Sequence, residues 1–305
     1  MTSSTALLPS VRAAFGTLID YAGLFPPARL PRAEAENEYR AARNGPHRWM
    51  LGRFIIPAAA LAEPTEGFDA PLSAIVEPTA DAFEHVARLR AAGLRVEALE
   101  IPLTRNVAPF REHLSAAERL DVLGAIESDL TVAGLRDLPA FVEIPRADPW
   151  WNALPETMET LARFRLGGKL RCGGVTADAF PGVDDVAEFI GAAAAANVPF
   201  KATAGLHHPV RHVDEDTGFT MHGFLNLLGA AAFATQVDAA TLQAIVAEED
   251  ADAFLFSSDA FAWRGRTAGI SELAAIRRGA FVAYGSCSFA EPAADLTGMG
   301  LLPQV

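Results

Sequence analysis

Short apolar runs alternate with amphipathic stretches along the whole chain. Eight runs read as strands: Gly16 to Tyr21, Arg53 to Ile56, Leu72 to Glu77, Val96 to Ile101, Ala140 to Ile144, Lys169 to Cys172, Pro199 to Thr203 and Phe281 to Tyr284. Between them apolar residues recur every three or four positions, the period of a helix with one buried face, over Arg32 to Arg43, Ala80 to Ala92, Ser115 to Glu127, Pro155 to Phe164, Val183 to Ala196 and Ser271 to Arg277. A strand followed by a return helix, repeated end to end, predicts a parallel sheet built from βαβ units. Four successive runs leave through proline, at Pro57, Pro78, Pro102 and Pro145. Proline has no N–H to give a ladder, so it marks where a strand passes into its loop.

Eight such units in 305 residues, with no Gly/Ser-rich linker, predict a single (β/α)8 barrel domain over 1–305, with a doubly wound sheet as the fallback. The stretch from about 214 to 264 breaks the alternation. Two helix patterns, Gly223 to Gln236 and Ala239 to Glu249, follow one another there and read as extra helices inserted before the last strand. Phe254 to Phe256 and Phe261 to Trp263 flank a turn and suggest a small hairpin. Ala253 to Phe256 competes for the place of eighth strand, and the later run, Phe281 to Tyr284, is preferred. The likeness of Leu99 to Pro102 with Val142 to Pro145 is not sustained as a repeat.

Composition narrows the partners. Asp+Glu 38 against Lys+Arg 25 give a net charge of −13, unsuited to nucleic acid, whose binders cluster basic surface. The most apolar stretches, Phe189 to Ala196 and Gly223 to Thr235, are shorter than the roughly 18 apolar residues of a membrane span. The first fifteen residues lack a signal-peptide pattern, and two cysteines are too few for a disulfide framework, so a cytoplasmic protein is expected. A homo-oligomer is left open. Only two of the 25 basic residues are lysines, Lys169 and Lys201. Arginine cannot become a neutral amine nucleophile, whereas lysine can.

In a parallel barrel, chemistry gathers at the C-terminal ends of the strands. Asp20 and Tyr21 end the first strand, Glu77 the third, Glu100 the fourth and Glu143 the fifth. The sixth carries Lys169 and Arg171, the seventh Lys201 and Thr203, and His207 and His208 follow. Alternation puts each lysine on the face opposite an apolar set, so both should point into the barrel, where unpaired charge is costly. They therefore need Glu100 or Glu143. Such a network can be purely structural; its chemical reading is a desolvated lysine that attacks a carbonyl to form a Schiff base, its pKa lowered by the second cation. Glu143 or His207 would then move protons, with Glu100 and Asp20 beside them. Arg171, Gly173, Gly174, Gly285, Ser286 and Ser288 could cradle an anion, with Ser288 capping a last helix from Phe289 to Leu296. Tyr21 would form part of the wall over the pocket.

Three segments resemble the class I aldolases of the deoxyribose-phosphate aldolase type. Lys201-Ala202-Thr203-Ala204-Gly205 is similar to that family's Lys-x-Ser/Thr-x-Gly around the Schiff-base lysine. Lys169 to Gly174 is similar to its Lys-x-x-Gly-Gly, with one extra residue, and Gly285-Ser286-Cys287-Ser288 to its phosphate-binding Gly-x-Ser-Ser turn. The resemblance implies a (β/α)8 barrel with lysines on strands six and seven and a lyase acting on a small phosphate- or carboxylate-bearing carbonyl compound, with no cofactor. It favours Lys201 as nucleophile by motif, and Lys169 by strand position.

Two alternatives stand beside it. His207, His208 and Glu143 could hold a divalent metal in a hydrolase, isomerase or enolising lyase, although the spacing matches no metal motif. A barrel without catalysis could serve as a binding protein, its mouth charges all paired. There is no Gly-x-Ser-x-Gly elbow, no phosphate loop and no Gly-x-Gly-x-x-Gly fingerprint.

Overall fold

The computed structural model describes residues 7–61, 68–103, 115–146 and 149–304. Among them eight parallel strands close into a barrel: β1 (Ile19–Tyr21), β2 (Leu51–Pro57), β3 (Leu72–Ile75), β4 (Val96–Pro102), β5 (Ala140–Glu143), β6 (Gly167–Arg171), β7 (Phe200–Thr203) and β13 (Phe281–Ser286). Each pairs with its chain neighbour, and β13 closes the ring between β7 and β1. The eight expected strands are these eight, and the later candidate is the one that closes the barrel.

The main connecting helices are α2 (Arg32–Asn44), α3 (Ala80–Ala91), α4 (Ala116–Val132), α6 (Leu154–Arg163), α7 (Val183–Ala195) and α10 (Ile270–Gly279), with α1 (Pro9–Phe15) ahead of β1, the short α5 (Pro149–Asn152) before α6, and α11 (Ala290–Gly298) after β13. Helix α4 begins where Ser115 and Glu118 exchange side-chain-to-backbone hydrogen bonds, a capping box that satisfies two free helix-end groups. No helix among the described residues is long and apolar enough to cross a membrane.

Period-two alternation divides the buried apolar residues into two sets. Phe54, Ile56, Leu99, Ile101, Val142, Leu170 and Tyr284 belong to the continuous core between barrel and helices. Ile55, Ala98, Phe141 and Ala283 are as buried but lie outside that core, and they fill the barrel interior. Polar side chains sharing the inward face therefore stand on a dry floor.

The region before β13 is more than an insertion. Helix α8 (Phe224–Phe233) is no peripheral addition: it is buried on nearly every face and packs against α7, α10 and β13. Its apolar character all round, which weakens any amphipathic signal, is that of a helix enclosed by other elements. Phe224 stacks on Tyr284 with ring centroids 5.4 Å apart. What is added outside the ring is the β8 (His212–Val213) and β9 (Thr220–Met221) hairpin, helix α9 (Ala239–Val246) and an antiparallel sheet of β10 (Phe254–Phe256), β11 (Ala260–Trp263) and β12 (Arg266–Gly269). The third strand of that sheet was not expected. It is set by Arg264 and Gly265, whose φ values of 42° and 83° make the left-handed two-residue turn that suits a hairpin.

Candidate active site

Parallel register brings the two lysines together. Lys169 on β6 lies opposite Lys201 on β7, and Glu143 on β5 lies opposite Lys169. Both lysines point inward as alternation predicts, and neither is unpaired. Lys201 Nζ donates to Asp20 Oδ2 at 2.5 Å, Glu100 Oε1 at 2.6 Å and Ser73 Oγ at 3.2 Å. An ammonium has three hydrogens, and these partners use all of them. Ser73 in turn donates to Glu100 Oε1 at 2.6 Å. The other oxygen of Glu100 forms an ion pair with Lys169 at 2.7 Å, and Lys169 pairs with Glu143 at 2.8 Å. Arg171 lies 3.8 Å from Glu143. One carboxylate, Glu100, thus bridges two lysines, and three acids balance three bases.

The cluster has a direction. Side-chain exposure is 1% at Lys201, 6% at Lys169, 19% at Glu143 and 54% at Arg171. The path from dry floor to open mouth therefore runs from Lys201 outward to Arg171, and Lys169 is the lysine nearer solvent. The motif favours Lys201 as nucleophile and strand position favours Lys169, and of the two Lys169 is the more exposed.

The electrostatics at Lys169 are not those of a lysine pushed down by its cationic neighbour. Burial acts against the Lys169 ammonium, but Glu100 and Glu143 outweigh it and hold that lysine above its ordinary value. Burial likewise acts against the charged Glu100, yet Lys169 and Lys201 hold its carboxyl well below the usual range, and Glu143 is lowered chiefly by Lys169. Glu100, placed between the two cations, turns what would be mutual repulsion into a chain of attraction.

Local backbone makes the arrangement possible. Asp20 Oδ1 accepts from the Arg53 backbone amide at 2.6 Å, fixing the carboxylate that receives Lys201. A Cβ at residue 52 would lie 2.3 Å from that oxygen, so Gly52 leaves the space Asp20 occupies. Thr203 is half-buried opposite Gly285, where a Cβ would come within 3.2 Å of its Oγ1. Ser73 was missed by sequence reasoning; its signal was a polar residue in the otherwise apolar Leu72–Ile75 strand. Glu77 is exposed beyond the end of β3 and takes no part in these contacts.

The remaining candidates lie elsewhere or are turned to other tasks. The Tyr21 hydroxyl donates to Glu38 at 2.6 Å, and burial followed by that carboxylate raises its pKa. Arg171 Nε donates to the Gly173 carbonyl at 3.0 Å, and a Cβ on Gly173 would meet Phe180 at 2.9 Å, so this glycine is required by packing between the loops. On Gly174 the nearest obstacle would be the Ala179 Cβ, at 2.6 Å. Ser286 Oγ donates to the Ser288 carbonyl at 2.6 Å, and Ser288 Oγ accepts from the Glu291 amide at 3.2 Å just ahead of α11, whose cap position is Phe289. His207 Nδ1 pairs with Glu291 at 2.8 Å and His208 Nδ1 with Asp295 at 2.7 Å, both on α11. Among the described residues no three His, Cys, Asp or Glu side chains converge as a metal-ion ligand set, so His207, His208 and Glu143 are not gathered into one.

Two surface clefts, one of about 220 Å³ between Arg32, Phe68 and Arg95 and one of about 350 Å³ between Arg12, Arg48 and Trp49, include no residue of the lysine cluster. No family model matches the chain, and no curated protein does. Solved structures do match. Deoxyribose phosphate aldolase from Aeropyrum pernix, described as a unique tetramer, aligns with a TM-score of 0.50 and 12% identity over 95% of this chain and 93% of that one. At that identity the likeness is one of fold, and the fold of this chain is the closed (β/α)8 barrel.

Proposed function

We propose that the protein is a lyase of the aldolase type that makes or breaks a carbon–carbon bond beside a carbonyl through a Schiff base on Lys169. The observation that carries this reading is the lysine pair on adjacent strands, in register and bridged by Glu100, at the C-terminal end of the barrel. Lys169 is assigned the nucleophile because it is the lysine nearer the mouth, and Lys201 is assigned to hold Glu100 and Asp20 in place. The amine must first lose a proton, which Glu143 is placed to accept at 2.8 Å. The freed nitrogen then attacks the carbonyl carbon, and water leaves as the imine forms. Arg171, exposed and beside Glu143, is positioned to meet a phosphate or carboxylate on the substrate.

Borohydride reduction with a panel of small aldehydes and keto acids tests the reading. The expected result is a stable mass increase on the peptide carrying Lys169, absent in Lys169→Arg. An adduct on Lys201 instead would transfer the nucleophile's role to that residue, and no adduct on either lysine would remove the Schiff base. The latter outcome favours a second reading, a binding barrel without catalysis, for which the observation is that all three Lys201 hydrogens already have acceptors.

A further inference from the structure

Away from the lysines, side chains from the β7 loop, the β13 loop and the first turn of α11 come together. Cys287 follows β13 directly, and its Sγ is 3.9 Å from His207 Nε2, whose Nδ1 is 2.8 Å from Glu291 Oε2. A carboxylate only accepts, so the Glu291 contact requires the proton on Nδ1, and in the neutral ring Nε2 then presents its lone pair to the thiol. Nucleophile, base and orienting acid are thus in the order that activates a nucleophile, with a sulfur–nitrogen distance on the loose side expected without a substrate. Along β13, Ala283 and Gly285 face the barrel interior, and Cys287 follows the last strand residue, Ser286, at the mouth. Cys287 is buried yet stands outside the core under the helices, whereas Cys172 is wholly within that core.

We propose that Cys287, His207 and Glu291 form a nucleophilic thiol site at the rim of the barrel whose electrophile is a small aldehyde. The choice of aldehyde rests on the lyase reading above; activation of the thiol does not. Sulfur forms a bond to the carbonyl carbon as the carbonyl π bond breaks, and the thiol proton passes through His207 Nε2 to the resulting alkoxide. The product is a hemithioacetal, reached without an oxidant and reversible by the same route. Burial pushes the Cys287 thiol up, opposed by the Ala28 backbone amide, so the sulfur rests as the thiol and its proton leaves during attack.

The test is the alkylation rate of each cysteine by iodoacetamide in the full chain, read by peptide mass spectrometry, with glycolaldehyde as the competing probe. Cys287 should react and Cys172 should not. His207→Ala should slow Cys287 at least about tenfold. Glu291→Gln, at a half-exposed position where folding is not at stake, should slow it severalfold. Glycolaldehyde should protect Cys287 reversibly, in the native chain and equally in Lys169→Arg. Unchanged rates in both triad variants, or no protection by the aldehyde, would overturn the proposal. Protection that persists where borohydride traps nothing would remove the Schiff base alone, and trapping without protection would remove this site alone.

Discussion

At Lys201 one ammonium meets Asp20, Glu100 and Ser73, all of them buried, so its removal strands the Asp20 carboxylate and leaves Glu100 with Lys169 alone. Lys201→Met keeps the length of the side chain and much of its apolar stem, and isolates the electrostatic loss. Breaking one side of a buried ion pair costs about 3–5 kcal/mol, and urea unfolding of this variant should show a loss of that order. Adding Asp20→Asn should restore part of it, because the second change removes a charge the first had stranded. A single-variant loss below about 1 kcal/mol, the level of an exposed ion pair, would mean that water reaches the barrel floor. Both lysines were legible in the sequence by their rarity, and Asp20, Glu100 and Glu143 by their places at strand ends. Which acid serves which base was not, because that depends on the lateral register of strands far apart in the chain.

At the scale of elements, the strands were readable because parallel strands in a barrel are short apolar runs and here often exit through proline, as at Pro57 and Pro102. The extra helices before the last strand were legible too, but that α8 is enclosed was not, because burial on nearly every face removes the polar stripe that shows which side of a helix faces the barrel. The β12 strand was overlooked because Arg266 and Thr267 are exposed and carry no apolar alternation. The junction of β1 with β2 shows how an element's shape serves the site. Gly52 leaves room for the Asp20 carboxylate while the neighbouring Arg53 amide holds it. Gly52→Ala should therefore displace Asp20 and destabilise by about 1–3 kcal/mol, the cost of overpacking. Gly279→Ala, at the end of α10 with nothing near its missing Cβ, should be neutral or slightly stabilising in the same thermal melt. Equal effects at the two positions would show that backbone entropy, rather than the space beside Asp20, accounts for Gly52.

Across the whole molecule, two electrostatic effects oppose each other as pH falls from neutrality. The net charge of −13 repels itself, and protonating surface acids relieves that repulsion. Inside the barrel, Glu100 and Glu143 are held below their ordinary values by the lysines, so the unfolded chain takes up protons first. Their contribution is complete above the ordinary carboxylate range, near about pH 4.3, and is lost as pH falls through that range towards the folded values. Lys169 acts in the opposite sense: its raised value contributes fully below about pH 10.4 and is lost only as pH climbs above that. Stability should hold or rise slightly on mild acidification and then fall steeply. Glu100→Gln should lower stability at neutral pH and make the acid limb shallower by up to about 1.4 kcal/mol per pH unit, one proton's worth of linkage. Urea unfolding at stepped pH and constant ionic strength checks this. Adding salt at neutral pH should stabilise both proteins alike, because screening acts on the surface charge and scarcely reaches the barrel floor. An acid limb unchanged by Glu100→Gln would assign acid unfolding to the surface alone and leave the buried network without a part in it.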